Sequence, residues 1–146
     1  MKIEIIGHFV FFTTSPKKKS GICIAEPHVD KGGFTFHLHE STSGLQYLNQ
    51  EKEWKDVVLD ESNTILFPGI QIQYASKCKV IALCHRVIAH AISEHIGRFS
   101  AVCFIDMAHT PVYNKARHGR MQRHPIGFNY DMDFPTFKKL FTKPNR

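Results

Sequence analysis

His28 and Asp30 stand two residues apart in Pro27-His28-Val29-Asp30. In an extended segment, side chains at i and i+2 point to the same side. An imidazole nitrogen and a carboxylate oxygen can then reach one ion. The pattern alone is weak, because so short a motif arises by chance. His85, in Cys84-His85-Arg86-Val87, offers a third donor. Two nitrogens and one carboxylate oxygen leave positions open on a metal, the facial arrangement that suits iron(II). Further on, Gly97-Arg98-Phe99-Ser100 opens another extended run. Arg98 and Ser100 again share a face; a guanidinium forks onto a carboxylate, and a serine hydroxyl adds a third hydrogen bond. His37 and His39 have the same i, i+2 spacing. With three donors already found they read as pocket-lining or exposed, and they are the first substitutes should His28 bind no metal.

Short extended segments must position these residues. Residues 2–14 read as one long apolar strand or two short ones, and 21–26 as a strand ending at Pro27. Residues 33–39 alternate, with Phe34, Phe36 and Leu38 on one face and Thr35, His37 and His39 on the other. GLQYL and EWKDVVL flank a polar turn and form a hairpin signal. TILF is a strand broken by Pro68-Gly69, and 70–76 fits a helical turn or a strand. Residues 79–84 and 86–92 read as strands flanking His85, and 98–105 as a strong strand. Residues 134–141 suit a short amphipathic helix with proline in its first turn. Many short strands with turns between them point to a sandwich or barrel.

The 146 residues suffice for one domain with a real core. Twelve phenylalanines favour packed sheets. No apolar run approaches the roughly 20 residues that span a bilayer, and no membrane partner is expected. Cys23, Cys78, Cys84 and Cys103 form no C-x-x-C pair, which argues against a zinc knuckle. Buried free thiols suit a cytoplasmic setting. The net charge of +6 is concentrated at Lys17–Lys19 and at Lys115, Arg117, Arg120 and Arg123. These clusters read first as solvated loops and second as a surface that attracts an anion. No nucleic-acid motif accompanies them. Gln46 is placed at a pocket mouth or in a strand-end hydrogen bond, Trp54 in core or hairpin packing, Tyr74 first away from the pocket and only second facing it, and Arg86 in a structural salt bridge.

The ordered series His28-Val29-Asp30, Gly33-Phe34-Thr35-Phe36, Gly44-Leu45-Gln46, Trp54, Phe67-Pro68-Gly69, His85-Arg86-Val87 and Arg98-Phe99-Ser100 resembles a known family. It is similar to the iron(II)/2-oxoglutarate-dependent oxygenases, in particular the isopenicillin N synthase-like branch. The resemblance covers roughly residues 24 to 106. It implies a mainly β, double-stranded β-helix fold (a distorted, cupin-like jelly roll) with a short C-terminal helix. It implies one domain over 1–146, with a core at about 21–106 and an extension over 107–146. His28, Asp30 and His85 would hold Fe(II). Arg98 and Ser100 would hold the distal carboxylate of 2-oxoglutarate, and O2 would be the co-oxidant. The implied activity is that of a non-haem dioxygenase acting on an unidentified small molecule. Two departures stand out. Only 27 residues precede the His-x-Asp where the family carries a helical region. The family's Asn-x-Tyr pattern is replaced by Phe9–Thr14, with Thr13 as the available hydroxyl. They support the alternative of a non-catalytic remnant that acts as a binding or interaction module.

Overall fold

The computed structural model describes residues 5–15, 21–60, 62–89, 97–108 and 133–142. Among the described residues, eight strands and two helices run in the order β1 (Ile5–Thr14), β2 (Cys23–His28), β3 (Phe34–Glu40), β4 (Leu45–Leu48), β5 (Trp54–Asp56), β6 (Ile65–Pro68), α1 (Ile70–Ala75), β7 (His85–Ile88), β8 (Arg98–Met107) and α2 (Phe134–Thr142). The strands form two four-stranded antiparallel sheets, β1-β8-β3-β6 and β2-β7-β4-β5. The fold is the expected jelly roll, with a cavity between the two sheets.

The β1–β8 ladder is unbroken from Ile5 opposite Met107 to Thr14 opposite Arg98. Residues directly opposite in an antiparallel pair share a face. Phe12 and Thr14 therefore lie with Ser100 and Arg98 on the cavity side. Phe9 and Phe11 lie on the outer side, 69% and 66% exposed, with Phe11 stacked on Phe99 at 5.9 Å.

Strand β3 inverts the usual use of alternation. Its polar face is the buried one: Thr35 is 2% and His37 4% exposed, while Phe34 and Phe36 are half-buried. The polar side chains face the cavity, and the phenylalanines face outward. A register shift against β8 between His37 and His39 ends this alternation, and His39 is exposed beside Phe99.

The hairpin signal is correct. Strands β4 and β5 pair from Gln46–Asp56 to Leu48–Trp54. Its turn is closed by Asn49, whose Oδ1 accepts from Glu53 N at 2.8 Å.

Residues 70–75 are helix rather than strand. Gly69 N, Ile70 N and Gln71 N donate to the carbonyls of Gly33, Asp30 and Gly32 at 2.7, 2.8 and 3.0 Å. The first donors of a helix have no partner within it; here the loop after β2 supplies acceptors for these three. Residues 79–84 are not a strand, because Lys77 and Cys78 both take positive φ (55° and 57°) and turn the chain away. Helix α2 matches the expected 134–141 and packs Phe137, fully buried, on Tyr74 of α1 at 5.2 Å. Ile70, Tyr74, Ala82 and Phe137 form one buried cluster.

The basic clusters at 17–19 and 115–123, and His90, His95, His109, His118 and His124, lie outside the described residues. Among the described residues no helix is long and apolar enough to cross a membrane.

Candidate metal centre

His28 ends β2, Asp30 follows it in the loop clamped by α1, and His85 opens β7 opposite His28. The fold thus brings together three side chains that are far apart in the chain. One ligand atom from each lies within 4.8 Å of the others. Asp30 Oδ1 is 3.6 Å from His28 Nε2 and 3.8 Å from His85 Nε2. Among the described residues this is the one cluster of three or more such donors.

The surroundings select the ligating atoms. His28 Nδ1 lies 2.6 Å from the Glu26 carbonyl, and His85 Nδ1 lies 3.2 Å from the Leu83 carbonyl. A carbonyl carries no proton, so each Nδ1 must donate. Each Nε2 then keeps its lone pair and faces Asp30, the arrangement by which outer partners orient metal-binding histidines. Thr35 Oγ1 donates to Asp30 Oδ2 at 2.5 Å, leaving Oδ1 turned to the histidines. Burial pushes the His85 pKa below its ordinary value, against the pull of Asp30. Near neutral pH the ring is the uncharged form a metal requires. His28 is exposed at the mouth, and His85 packs on Phe67 at 4.8 Å.

The centre opens into a cavity of about 370 Å³ with apolar walls that include Phe12, Leu45, Phe67, Val87 and Val102. Arg98 and Ser100 also line it and are 6% and 2% exposed. Arg98 Nη1 donates to Ser100 Oγ at 3.1 Å and Nε to the Thr42 carbonyl at 3.2 Å. Nη2 donates to Glu40 Oε2 at 2.5 Å. The guanidinium therefore already holds a carboxylate. Burial alone would raise the Glu40 pKa, but the nearby His37 and the hydrogen-bonded, positively charged Arg98 outweigh it and hold the carboxyl below its ordinary range.

Sequence comparison matches the 2OG-Fe(II) oxygenase superfamily over residues 10–107. The chain belongs to that superfamily. The match does not single out the isopenicillin N synthase-like branch. No curated protein sequence matches the chain. Among solved structures, a 2OG-Fe(II) oxygenase family protein from Caulobacter crescentus is similar at 17% identity and TM-score 0.69, over 94% of this chain and 46% of that one. The rice dioxygenase for auxin oxidation is similar at 20% identity and TM-score 0.68, over 92% and 45%. A full-length Neurospora crassa protein solved in complex with alpha-KG is similar at 22% identity and TM-score 0.58, over 75% and 35%. These likenesses establish the fold, and the chain spans less than half the length of each of the three.

The superfamily's name carries its cofactor pair, iron(II) and 2-oxoglutarate. Two imidazoles and one carboxylate are a fitting donor set for the iron.

Several expectations need revision in this oxygenase fold. Thr13 is not the β1 hydroxyl facing the site. The register puts Thr13 opposite Phe99 on the outer side and Thr14 opposite Arg98 on the inner side. Tyr74, by contrast, takes its first-placed position: it lies away from the cavity and packs on Phe134 and Phe137. Arg86 forms no salt bridge among the described residues: its Nε donates to Gln46 Oε1 at 2.8 Å, and its guanidinium lies 4.2 Å from the Trp54 ring centre. Gln46 is in turn bonded to Asp56, so it serves the β4–β5 strands rather than the mouth. Sequence reasoning missed Glu40 and Thr14. Glu40 gave no signal, because its partner Arg98 is 58 residues away.

Acid stability offers a check on the Glu40 assignment. A carboxyl with a lowered folded pKa stabilises above its unfolded value, near 4.5, and that contribution is lost as pH falls through the folded value. Thermal melts from pH 6 to 3 should therefore fall less steeply for Glu40→Gln than for the parent chain. Parallel curves would contradict the assignment.

Proposed function

We propose that the chain is a single non-haem iron(II)- and 2-oxoglutarate-dependent dioxygenase domain that oxidises a small molecule. His28, Asp30 and His85 are its metal ligands. Arg98 and Ser100 hold the distal carboxylate of 2-oxoglutarate. The observation that carries the reading is the convergence of the three donor atoms, with both imidazoles fixed by backbone carbonyls so that Nε2 faces Asp30.

Iron(II), when bound, supplies the dioxygen chemistry that couples decarboxylation of 2-oxoglutarate to oxidation of a substrate. The protein orients and shields that chemistry. Asp30 contributes the negative charge among the three ligands, and Thr35 fixes which oxygen it presents. The Arg98–Ser100 end lies in the same cavity and gives a dicarboxylate a second anchor. The apolar walls keep water from the centre and strengthen its electrostatic interactions. A small-molecule substrate accords with similar structures that were solved with thymine, for the Neurospora crassa protein, and with JA, for JOX2.

The test is iron(II)-dependent formation of succinate from 2-oxoglutarate under air, after anaerobic loading. Turnover without added substrate, at an uncoupled rate, is the expected minimum. The absence of metal-dependent succinate would overturn the enzymatic reading.

Thr35→Val keeps the shape of β3 and removes the hydrogen bond to Asp30. Outer partners of metal ligands are typically worth about 10–100-fold in affinity. Iron(II) affinity should fall by roughly that factor, measured by anaerobic titration. An unchanged affinity would mean that Asp30 needs no such restraint.

A second reading, a binding module without turnover, is favoured by one observation. Glu40 already occupies the guanidinium that the cosubstrate needs. It predicts iron uptake without succinate.

A further inference from the structure

The Arg98 guanidinium at the cavity wall already holds a buried carboxylate that is not itself part of the lining. Glu40 Oε2 accepts from Arg98 Nη2, and its side chain is 3% exposed. On its other side stands His37, which lines the cavity and whose side chain is 5% exposed. His37 Nε2 is 3.4 Å from the same Glu40 oxygen, near enough for attraction, but among the described residues it has no hydrogen-bond partner. Thr14, opposite Arg98 in the β1–β8 ladder, also has a buried hydroxyl without a partner among them. Buried polar atoms are nearly always paired, and an orphan needs a reason. The first approaches the carboxylate that Arg98 holds and the second sits opposite Arg98 in the ladder; a third, Thr42 Oγ1, belongs to the residue whose carbonyl accepts from Arg98 Nε.

We infer that Glu40 is an internal competitor for Arg98, and that His37 receives Glu40 when the distal carboxylate of 2-oxoglutarate takes its place. The inference rests on the proposed function and adds a positioning device beside the same pocket. Two carboxylates against one guanidinium repel each other strongly when buried. The titratable and charged groups that line the cavity with His37 are His28, Asp30, His85 and Arg98. Of these, Arg98 alone has a permanent positive charge. A small movement of Oε2 turns the 3.4 Å approach to His37 into a hydrogen bond and satisfies the first orphan. A neutral imidazole suffices, with Nε2–H donating. The incoming carboxylate then takes the vacated guanidinium N–H groups and the Thr14 hydroxyl, which satisfies the second. Before binding, Glu40 holds the Arg98 guanidinium in a fixed orientation.

The experiment is calorimetric titration of 2-oxoglutarate into the iron(II)-loaded protein without oxygen. Four proteins are compared: the parent chain, Glu40→Gln, His37→Leu, and the double variant. Glu40→Gln keeps shape and an acceptor oxygen but loses the charge, and should bind roughly tenfold tighter. His37→Leu should bind several-fold weaker, since Glu40 loses its alternative partner. The double variant should bind like Glu40→Gln alone, because His37 acts through Glu40. A role for His37 in packing alone would carry its loss into the double variant and overturn the inference. Binding by Glu40→Gln that is equal or weaker would also overturn it, as would no binding by any variant. Iron(II) uptake is read separately in the same samples. Its absence sinks the metal assignment, whereas iron uptake without tightening in Glu40→Gln sinks the competitor role alone.

Discussion

Asp30→Ala abolishes iron(II) binding and turnover together while leaving the fold intact. Asp30 Oδ1 lies 3.6 and 3.8 Å from the two Nε2 atoms, and the side chain is the anion of the proposed ligand set. Without it, two imidazoles with ring centres 4.3 Å apart face an unneutralised divalent cation. Loss of an outer partner typically costs up to about 100-fold, so loss of the ligand itself should exceed that. The backbone role of Asp30 is separate: its carbonyl, not its carboxylate, accepts from Ile70 N at 2.8 Å and holds α1. The side chain's structural partner is Thr35, and an unpartnered hydroxyl there costs about 1–3 kcal/mol. Anaerobic iron(II) titration with circular dichroism on the same sample separates the two effects. Native-like spectra with no iron uptake are expected. Iron affinity within a few-fold of the parent would remove Asp30 from the ligand set.

Gly69→Ala damages the site from outside it. Gly69 has ordinary extended angles (φ −99°, ψ −178°), so alanine meets no conformational penalty there. The penalty is steric. An added Cβ would overlap the Gly32 carbonyl oxygen and lie 2.9 Å from that of Asp30. Both atoms are backbone, and both are held by the first turn of α1, so neither can rotate away. The 30–33 loop or the helix must move. Overpacking of this kind typically costs about 1–3 kcal/mol, and the upper end is expected because three backbone hydrogen bonds converge there. Iron(II) affinity should fall with stability, since the displaced loop carries Asp30. Urea unfolding reads the first effect and anaerobic titration the second. A stable Gly69→Ala protein with full iron affinity would show that the clamp between α1 and this loop does not position the ligand.

The parts of this molecule that could be read from sequence are those encoded locally. His28 and Asp30 announce themselves by a spacing that any extended backbone turns into a shared side. Arg98 and Ser100 do the same on β8. The hairpin of β4 and β5 follows from a polar turn between apolar runs. What escaped is set by register and long-range pairing. Thr13 and Thr14 are equivalent in sequence, and the ladder with β8 decides which one faces in. Alternation in β3 is visible, but not that its polar side is the buried one. The burial of Thr35 and His37 follows from a cavity that only the closed pair of sheets creates. Glu40 carries no local mark, since its meaning comes from Arg98 on another strand. Residues 79–84 look like a strand by composition, yet two successive positive φ values after α1 send them past the sheet as irregular chain.

A crystal grown anaerobically with iron(II) tests the metal assignment most directly. Anomalous scattering at the iron edge should place one ion at about 2.0–2.2 Å from His28 Nε2, Asp30 Oδ1 and His85 Nε2, the range of first-shell nitrogen and carboxylate bonds to a divalent metal. An ion bound elsewhere, for example between His37 and Glu40, or no anomalous peak in an iron-saturated crystal, would contradict it.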